Sequence, residues 1–332
     1  MKKLSFGIDI GGINTVIGLI DQEGNFCGDS SISTNKYPYF EDYLSYVADL
    51  AAAMKALLLT LDFDFEIVGI GIGAPNANIH TGAIENPANL WKHKADEKRG
   101  EERIFTLAKD LVSQYGDVPH VVVTNDANAA AIGEMVFGSA KGMQDFLMVT
   151  LGTGLGSGFV ANGELIYGTD GFAGELGHIT VVPSGRECGC GKRGCLECYV
   201  SATGIKRTAF EMMATWRGES SLRGITYDDF DSKMISDAAL AGDKLALEIF
   251  RYTGEILGAA LANVVVLTSP EAIVMFGGLA KAGDLIFKPT EKSLKENLCP
   301  ALNSQVKLIE SGNKDKNIAI LGAASLIWQK CI

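Results

Sequence analysis

The sequence predicts an α/β protein built from two similar halves with a cleft between them. Each half runs in the same order, a meander of short strands around a glycine-rich turn and then helices alternating with strands. Glycine-rich turns follow strands at three places, and a cysteine-rich loop interrupts the second half. Because ligands commonly bind between domains, we expect the functional site in the cleft.

The first half begins with three predicted strands joined by turns that contain glycine. The strands are LSFGIDI (4–10), TVIGLID (15–21) and FCGDSSIS (26–33). A helix rich in Ala and Leu, a buried strand, a second helix and a further strand follow at 40–61, 67–72, 101–115 and 120–124. The polar connection at 73–92 is long, and such a loop inside a compact domain is usually functional.

The pattern starts again at Thr124, where a helix begins at Asn125 or Asp126. A second meander and the remaining elements follow: strands at 145–151, 157–161 and 164–168, helices at 200–215, 231–241 and 243–263, then a strand at 271–276, a helix at 282–297, a strand at 305–309 and a helix at 318–330. We expect a small domain of residues 1–123 plus 318–332, and a larger domain of residues 124–317 that carries the cysteine-rich loop.

Composition restricts the class of protein. The chain has 332 residues, of which 47% are hydrophobic, and a net charge of −11 without any Lys/Arg run, which disfavours a nucleic-acid surface. The apolar start contains Asp9 and ends in glycines, so it indicates a strand and not a signal peptide. The apolar runs are too short or too polar to span a bilayer. We expect a cytoplasmic protein that binds neither nucleic acid nor membrane.

The cysteine-rich loop holds four candidate metal ligands: His178, Cys188, Cys190 and Cys195. One imidazole and three thiolates form a standard tetrahedral Zn²⁺ set, and four protein ligands leave no open position for catalysis. We therefore predict a structural zinc ion that fixes the loop and aims Glu175 and Glu197 at a ligand. The alternative is a group of reduced surface cysteines without metal. Seven cysteines, four of them in one loop, favour metal binding over a disulfide framework.

The three glycine turns are Gly11–Gly12, Gly152-Thr153-Gly154 and Gly277–Gly278. Glycine at a strand end lets backbone N–H groups approach an anion, which predicts phosphate binding. The only Gly-Lys pair, at 191–192, is followed by Arg193, so the sequence has no P-loop, and the glycines of the 152–158 run recur at every second position and not with the dinucleotide spacing G-x-G-x-x-G. A hairpin turn also needs glycine, so each turn alone is equally compatible with a purely structural role.

Two acidic residues follow strands in positions suited to chemistry. Asp9 lies next to the first glycine turn, where it could hold Mg²⁺ or its waters. Asp126 lies at a strand-to-helix junction, where it is either a catalytic acid or base, or a helix cap. The local sequence leaves both roles of Asp126 open.

Together these motifs resemble the ROK family of bacterial sugar kinases, which has the actin-like (ribonuclease H-like), hexokinase-type ATPase fold. The resemblance covers essentially the whole chain. It rests on GIDIGG (7–12), TNDANAAAIGE (124–134), LGTGLGSG (151–158), GELGH (174–178) with CGCGKRGCLE (188–197), and FGGLAKAG (276–283).

The resemblance implies roles for individual residues. Asp126 would be the general base that takes the proton from the sugar hydroxyl as it attacks the γ-phosphate of ATP. The residues around the sugar would be Asn89, Asn125, Glu175, His178 and Glu197, with His178 also on zinc. The phosphates would lie against Gly11, Gly12, Gly152, Thr153 and Gly154, and the adenosine against Gly277 and Gly278.

The chain departs from the family pattern at two places. Ile13 stands where the family usually has Thr after the two glycines, and Asn14 or Thr15 is expected to replace that hydroxyl in part. Asn76 follows Pro75 where Pro-Gly is commoner, in a loop near the sugar. The first departure bears on phosphate handling and the second on the choice of substrate.

We predict an ATP- and Mg²⁺-dependent hexose kinase, first of all a glucokinase, with a homodimer (or tetramer) as the expected assembly. The alternatives within the family are kinases of N-acetylmannosamine, N-acetylglucosamine, mannose, allose or fructose. A sugar-responsive DNA-binding regulator is disfavoured, because such members carry an N-terminal helix-turn-helix domain and this chain begins at the first strand. A non-catalytic sugar sensor is the remaining alternative.

Overall fold

The computed structural model describes residues 1–87, 90–93, 101–301, 305–312 and 318–330. The chain divides into two compact units. Unit 1 comprises Met1–Gly142, Leu165–Ala173 and Gly312–Ile332, and unit 2 comprises Met143–Glu164 and Gly174–Ser311.

The strands and helices alternate along the chain as an α/β protein requires. The strands are β1 (Lys2–Ile10), β2 (Asn14–Asp21), β3 (Phe26–Ser33), β4 (Phe65–Ala74), β5 (Ala77–Asn78), β6 (Ala83–Glu85), β7 (Ile104–Phe105), β8 (Val121–Asn125), β9 (Phe146–Leu151), β10 (Leu155–Ala161), β11 (Glu164–Leu165), β12 (Ala272–Phe276) and β13 (Lys307–Glu310). The helices are α1 (Tyr43–Leu58), α2 (Leu107–Tyr115), α3 (Asp126–Phe137), α4 (Glu197–Val200), α5 (Ala202–Thr215), α6 (Ser232–Leu240), α7 (Lys244–Thr268), α8 (Asp284–Asn297) and α9 (Ile318–Lys330).

The two main sheets share one topology. In the described residues their strand orders are β3-β2-β1-β4-β8 and β11-β10-β9-β12-β13. In each, an antiparallel meander is followed by two strands that run parallel to its first strand. The carboxyl ends of the parallel strands therefore meet at one edge, where ligands bind in such sheets. The internal repeat predicted from the element order is confirmed.

Helix α9 lies directly on the sheet of unit 1. A Cβ atom added at Gly7 or at Gly71 would collide with the backbone carbonyls of Ile320 or Ala323, so only glycine permits this approach. Hydrophobic burial of α9 against β1 and β4 joins the end of the chain to its beginning.

The division of the chain differs from the predicted boundary between residues 123 and 124. Helix α3 packs on α9 so closely that a Cβ at Gly133 or Gly322 would strike the facing backbone. Residues 124–142 therefore belong to unit 1. Residues 165–173 also belong to it, because Asn78 Nδ2 donates to the carbonyl of Asp170 at 2.9 Å.

Unit 2 is built around the long helix α7, which packs against α5 and α8. By length and composition α7 could cross a bilayer, but 61% of its most apolar window is buried inside the structure. Its apolar composition is explained by this burial in the core of unit 2. Its first turn is capped by Asp243, whose carboxylate accepts hydrogen bonds from the N–H groups of Leu245 and Ala246.

Candidate functional site

The first glycine turn joins β1 to β2 at the carboxyl edge of the unit 1 sheet. Gly11 N–H donates to the carbonyl of Asn14 at 3.0 Å and closes the turn. Among the described residues, no acceptor is found for the N–H groups of Gly12 and Ile13, and both residues are exposed. Two adjacent N–H donors at an exposed turn form an anion-binding concavity.

Thr15 does not belong to that concavity. Its side chain is fully buried, and its Oγ1 lies 2.9 Å from Thr34 Oγ1 and 2.7 Å from Tyr46 OH. The expectation that Thr15 contacts phosphate is therefore corrected, because its hydroxyl is already hydrogen-bonded to other buried hydroxyl groups. Asn14 is exposed at the turn itself.

The second glycine turn, residues 152–154, joins β9 to β10 in unit 2 and repeats this arrangement. Gly152 N–H donates to the carbonyl of Gly154 at 3.0 Å. The N–H groups of Thr153 and Gly154 have no acceptor in the part of the chain that the structure describes. A Cβ at Gly152 would meet nothing within 4 Å, so the space in front of this turn is open.

The third glycine turn follows β12, the neighbour of β9. Gly277 has a φ of 103°, and a Cβ there would lie 2.5 Å from the carbonyl oxygen of Leu151. Only glycine is compatible with both constraints. Leu279 N–H donates to the same carbonyl at 3.2 Å, so the second and third turns lie side by side, as the predicted nucleotide site requires.

Asp9, Asn125 and Asp126 lie at the carboxyl edge of the unit 1 sheet. Asp9 pairs with Gly73, which pairs in turn with Thr124, so Asp9 is two strands, or about 10 Å, from Thr124. Asp9 is also close enough to Tyr46 to add to the effect of burial, which raises the pKa of that phenol.

Asn125 and Asp126 both lie at the start of helix α3. Asn125 is the N-cap of α3, and its Oδ1 accepts a hydrogen bond from Ala127 N–H at 2.9 Å. Asp126 is the first residue of the helix, and its Oδ1 accepts from the same N–H at 2.8 Å. Asn125, and not Asp126, therefore occupies the N-cap position of α3.

The loop before α4 brings Glu175, His178 and Glu197 together. His178 Nε2 lies 4.0 Å from Glu175 Oε2. Partial burial raises the pKa of Glu175, His178 opposes this effect, and the neighbouring Glu197 adds to it. Two carboxylates and an imidazole within one loop suit several hydroxyl groups of a ligand.

The Cys/His cluster, meaning His178, Cys188, Cys190 and Cys195, has the geometry of a metal site. Their ligand atoms all lie within 4.8 Å of one another. Cys190 Sγ is 3.7 Å from Cys195 Sγ, and Cys188 Sγ is 3.7 Å from His178 Nδ1. A tetrahedral Zn²⁺ ion separates two sulfurs by about 3.8 Å and a sulfur from a nitrogen by about 3.6 Å. The predicted ligand set therefore fits zinc.

One predicted sugar-binding residue, Asn89, lies outside the described residues. Other contacts at the site were not predicted. No local pattern indicates that Ala202 N–H and Thr203 Oγ1 donate to the carbonyls of Gly152 and Thr153, at 2.8 and 2.9 Å. Asn76 has a φ of 55°, which Asn tolerates better than most residues and which explains its presence where glycine is commoner.

Comparison with known proteins decides the family. The sequence profile of the ROK family matches residues 5–330. The chain belongs to the ROK family. This confirms the predicted family and, with it, the predicted actin-like ATPase fold class.

Two glucokinases are similar to this chain along nearly its whole length, and a repressor is similar along part of it. A glucokinase from Halalkalibacterium halodurans is 36% identical over 98% of this chain and 94% of its own length. The crystal structure of a ROK glucokinase from Streptomyces griseus in complex with glucose and AMPPNP is 32% identical with a TM-score of 0.78, covering 98% of this chain and 99% of that one. A relative of another class, the xylose repressor from Bacillus spizizenii, is 29% identical over 66% of this chain and 53% of its own length.

Proposed function

We propose that this chain is an ATP-dependent glucokinase that converts glucose and ATP to glucose 6-phosphate and ADP. The observation that carries the proposal is its similarity, over 98% of its length, to a glucokinase whose structure contains glucose and AMPPNP. Sugar kinase activity also accounts for the exposed N–H donors of the glycine turns, which suit the phosphates of a nucleotide.

In this proposal Asp126 is the general base. It accepts the proton of the attacking sugar hydroxyl while the γ-phosphoryl group is transferred in line. Phosphoryl transfer needs positioning and charge stabilisation more than covalent chemistry. The sugar is held by Asn125, Glu175, His178 and Glu197, together with Asn89.

The phosphates are held by backbone. The first glycine turn offers the N–H groups of Gly12 and Ile13, and the second offers those of Thr153 and Gly154. The adenosine lies against Gly277 and Gly278. Asp9 is the carboxylate that would hold Mg²⁺ or its waters, and the ion would supply positive charge to the phosphates of ATP.

Zinc has a structural part in this account. The Cys/His cluster supplies the four ligands, and zinc when bound would fix the loop that carries Glu175 and Glu197. Burial is the largest cause that raises the pKa of the Cys188 thiol, and binding of a cation by this sulfur would release the thiol proton.

The substrate is tested by measuring ADP release from ATP with each of a set of hexoses and N-acetylhexosamines. We expect the highest kcat/KM with glucose. Preference for N-acetylmannosamine, N-acetylglucosamine, mannose, allose or fructose would keep the kinase class and change the named substrate. A sugar that raises Tm without any turnover would replace the kinase proposal with a sugar sensor.

Two further features belong to the proposal, and one class of protein competes with it. We expect a homodimer, which light scattering tests, and a cytoplasmic enzyme. The match to a repressor leaves a DNA-binding regulator as the competing class. The net charge of −11 disfavours that class, and DNA retardation in a gel at physiological salt would revive it.

A further inference from the structure

Glu197 lies between the second glycine turn and the Cys/His cluster. One carboxylate oxygen, Oε2, accepts a hydrogen bond from the N–H of Leu155 at 2.9 Å. The other, Oε1, lies 3.8 Å from Cys188 Sγ. A Cβ atom at Gly154 would collide with Oε2, so the carboxylate packs directly on the turn. One side chain therefore contacts the predicted phosphate site and the predicted metal site.

The segment that follows Glu197 also holds the turn. Ala202 N–H donates to the carbonyl of Gly152 at 2.8 Å, and Thr203 Oγ1 donates to the carbonyl of Thr153 at 2.9 Å. With the bond from Leu155 N–H to Glu197, three hydrogen bonds join segment 197–203 to two residues of the turn, Gly152 and Thr153, and to the first residue of β10. Fixed donors are what a phosphate site requires, because they need not reorganise when the anion binds.

The Cys/His cluster fixes the start of that same segment. The carbonyl of Cys195 accepts a hydrogen bond from Cys198 N–H at 3.1 Å, and Leu196 N–H donates to the carbonyl of Ile179 at 3.0 Å. Cys195 and His178, the neighbour of Ile179, are both members of the cluster. A metal that joins them would therefore clamp the backbone from which Glu197 projects.

We propose that Glu197 is a positioning residue for the second glycine turn and that it transmits metal occupancy of the Cys/His cluster to the bound nucleotide. Its role then extends beyond the sugar to the phosphates. Loss of the metal weakens nucleotide binding even when no sugar is present. This inference rests on the proposed function, because it requires that the turn binds a nucleotide.

The test is the affinity for ADP, measured by calorimetry on the full chain without sugar, with zinc content and Tm determined for each variant. Relative to the wild type, Glu197→Ala should bind ADP about tenfold more weakly, since it removes a charge-assisted hydrogen bond to the turn. Glu197→Gln should fall between the two, because its amide oxygen still accepts the N–H but carries no charge. Glu187→Gln is the matched control and should stay within about twofold of the wild type.

Glu187 suits this purpose because it makes the same change of charge beside Cys188, while its side chain is 75% exposed and pairs with Arg193. The decisive observation is whether metal removal and Glu197→Ala have non-additive effects on the affinity for ADP. Removing the metal with a chelator, followed by gel filtration, should weaken ADP binding to the wild type by a similar factor of about ten. Metal removal should weaken ADP binding to Glu197→Ala little further, because both changes interrupt the same connection between the Cys/His cluster and the second glycine turn.

The failures are distinguishable. If the Glu197 variants bind ADP as the wild type does while their KM for sugar rises, Glu197 serves the sugar alone and the inference is overturned, although the kinase proposal stands. If metal removal and Glu197→Ala weaken ADP binding additively, transmission through Glu197 is wrong. If the wild type binds no ADP, the proposed function itself fails. Should Glu197→Ala not fold, Thr203→Val removes another of the three bonds and should weaken ADP binding about threefold, whereas unchanged binding would contradict the inference.

Discussion

Cys190 Sγ lies 3.7 Å from Cys195 Sγ, the separation that two thiolates have when they share one tetrahedral zinc ion. Cys190 is exposed whereas Cys195 is buried, so the pair bridges the outer and inner parts of the loop. The hydrogen bond between these two thiols is weak, and a metal ion is the stronger explanation for their approach.

Metal analysis of the purified protein should therefore find about one zinc per chain. Cys190→Ser should reduce the zinc content by more than half and lower Tm by several degrees, because structural zinc contributes binding free energy to folding. Cys299→Ser is the control, since Cys299 is an exposed cysteine outside the cluster. Full activity and stability of zinc-free protein would refute the structural metal.

Arg186 should be the most sensitive residue in the loop apart from the metal ligands. Its guanidinium donates to the carbonyls of Cys198 and Gly204 at 2.8 and 3.1 Å, pairs with Glu211, and lies over the ring of Tyr199. Arg186→Met should lower the free energy of unfolding by about 2–4 kcal/mol, because two buried carbonyls each lose a hydrogen bond from a charged donor.

Glu211→Gln is the matched comparison for that measurement. The Glu211 side chain is 58% exposed, so the ion pair itself is worth less than about 1 kcal/mol. Urea unfolding of both variants separates the two contributions. Equal losses would mean that the ion pair, and not the carbonyl contacts, holds the loop.

Replacing Ile13 by the residue usual in the family should change little. Ile13 is 68% exposed, and the turn offers its backbone N–H, which every residue except proline retains. We expect Ile13→Thr to alter the KM for ATP by less than about threefold, measured at saturating glucose. An improvement of tenfold or more would show that the missing hydroxyl limits phosphate binding.

The cap of helix α7 should make stability depend on pH in the acidic range. Burial would raise the pKa of Asp243, but hydrogen bonds from Ala246 N–H, Ser220 and Ser221 outweigh it and lower that pKa. The stabilisation is therefore present above the unfolded pKa of about 4 and is lost as pH falls through the lower folded pKa.

Asp243→Asn should accordingly lower the free energy of unfolding by about 1 kcal/mol at pH 7, with the deficit shrinking below about pH 4. Asp284→Asn is the comparison, since Asp284 begins α8 but is 76% exposed, and its deficit should stay below about 0.5 kcal/mol. A deficit for Asp243→Asn that persists unchanged at pH 3 would contradict this account.

The local sequence pattern predicted well those strands and helices whose ends are set by neighbouring residues in the chain. The strand predicted at 26–33 is β3 itself, because its boundaries are set by turns that the sequence shows. The helix predicted at 101–115 begins only at Leu107, since Ile104 and Phe105 pair with β6. That pairing joins residues about twenty positions apart and leaves no local signal.

The site shows the same limit. The donors of the glycine turns follow from glycine at strand ends, so these turns could be predicted. The burial of Thr15 could not, because it depends on Thr34 and Tyr46, which reach it only in the folded chain. The bond from Leu155 to Glu197 likewise spans 42 residues. The observed boundary between the units differs from the predicted one for the same reason, because the close packing of α3 on α9, which glycines permit, is a long-range contact.

The most direct test of the central claim is the rate of glucose 6-phosphate formation from glucose and ATP by the wild type and by Asp126→Asn. Asparagine keeps the size of the side chain and an oxygen that can accept the N–H of Ala127, but it cannot take a proton. The account predicts glucose 6-phosphate from the wild type and a rate at least about 100-fold lower from the variant, with glucose binding retained. Asp117→Asn, at an exposed aspartate, should match the wild type. A variant rate within tenfold of the wild type, or no phosphorylated glucose from the wild type, would contradict the account.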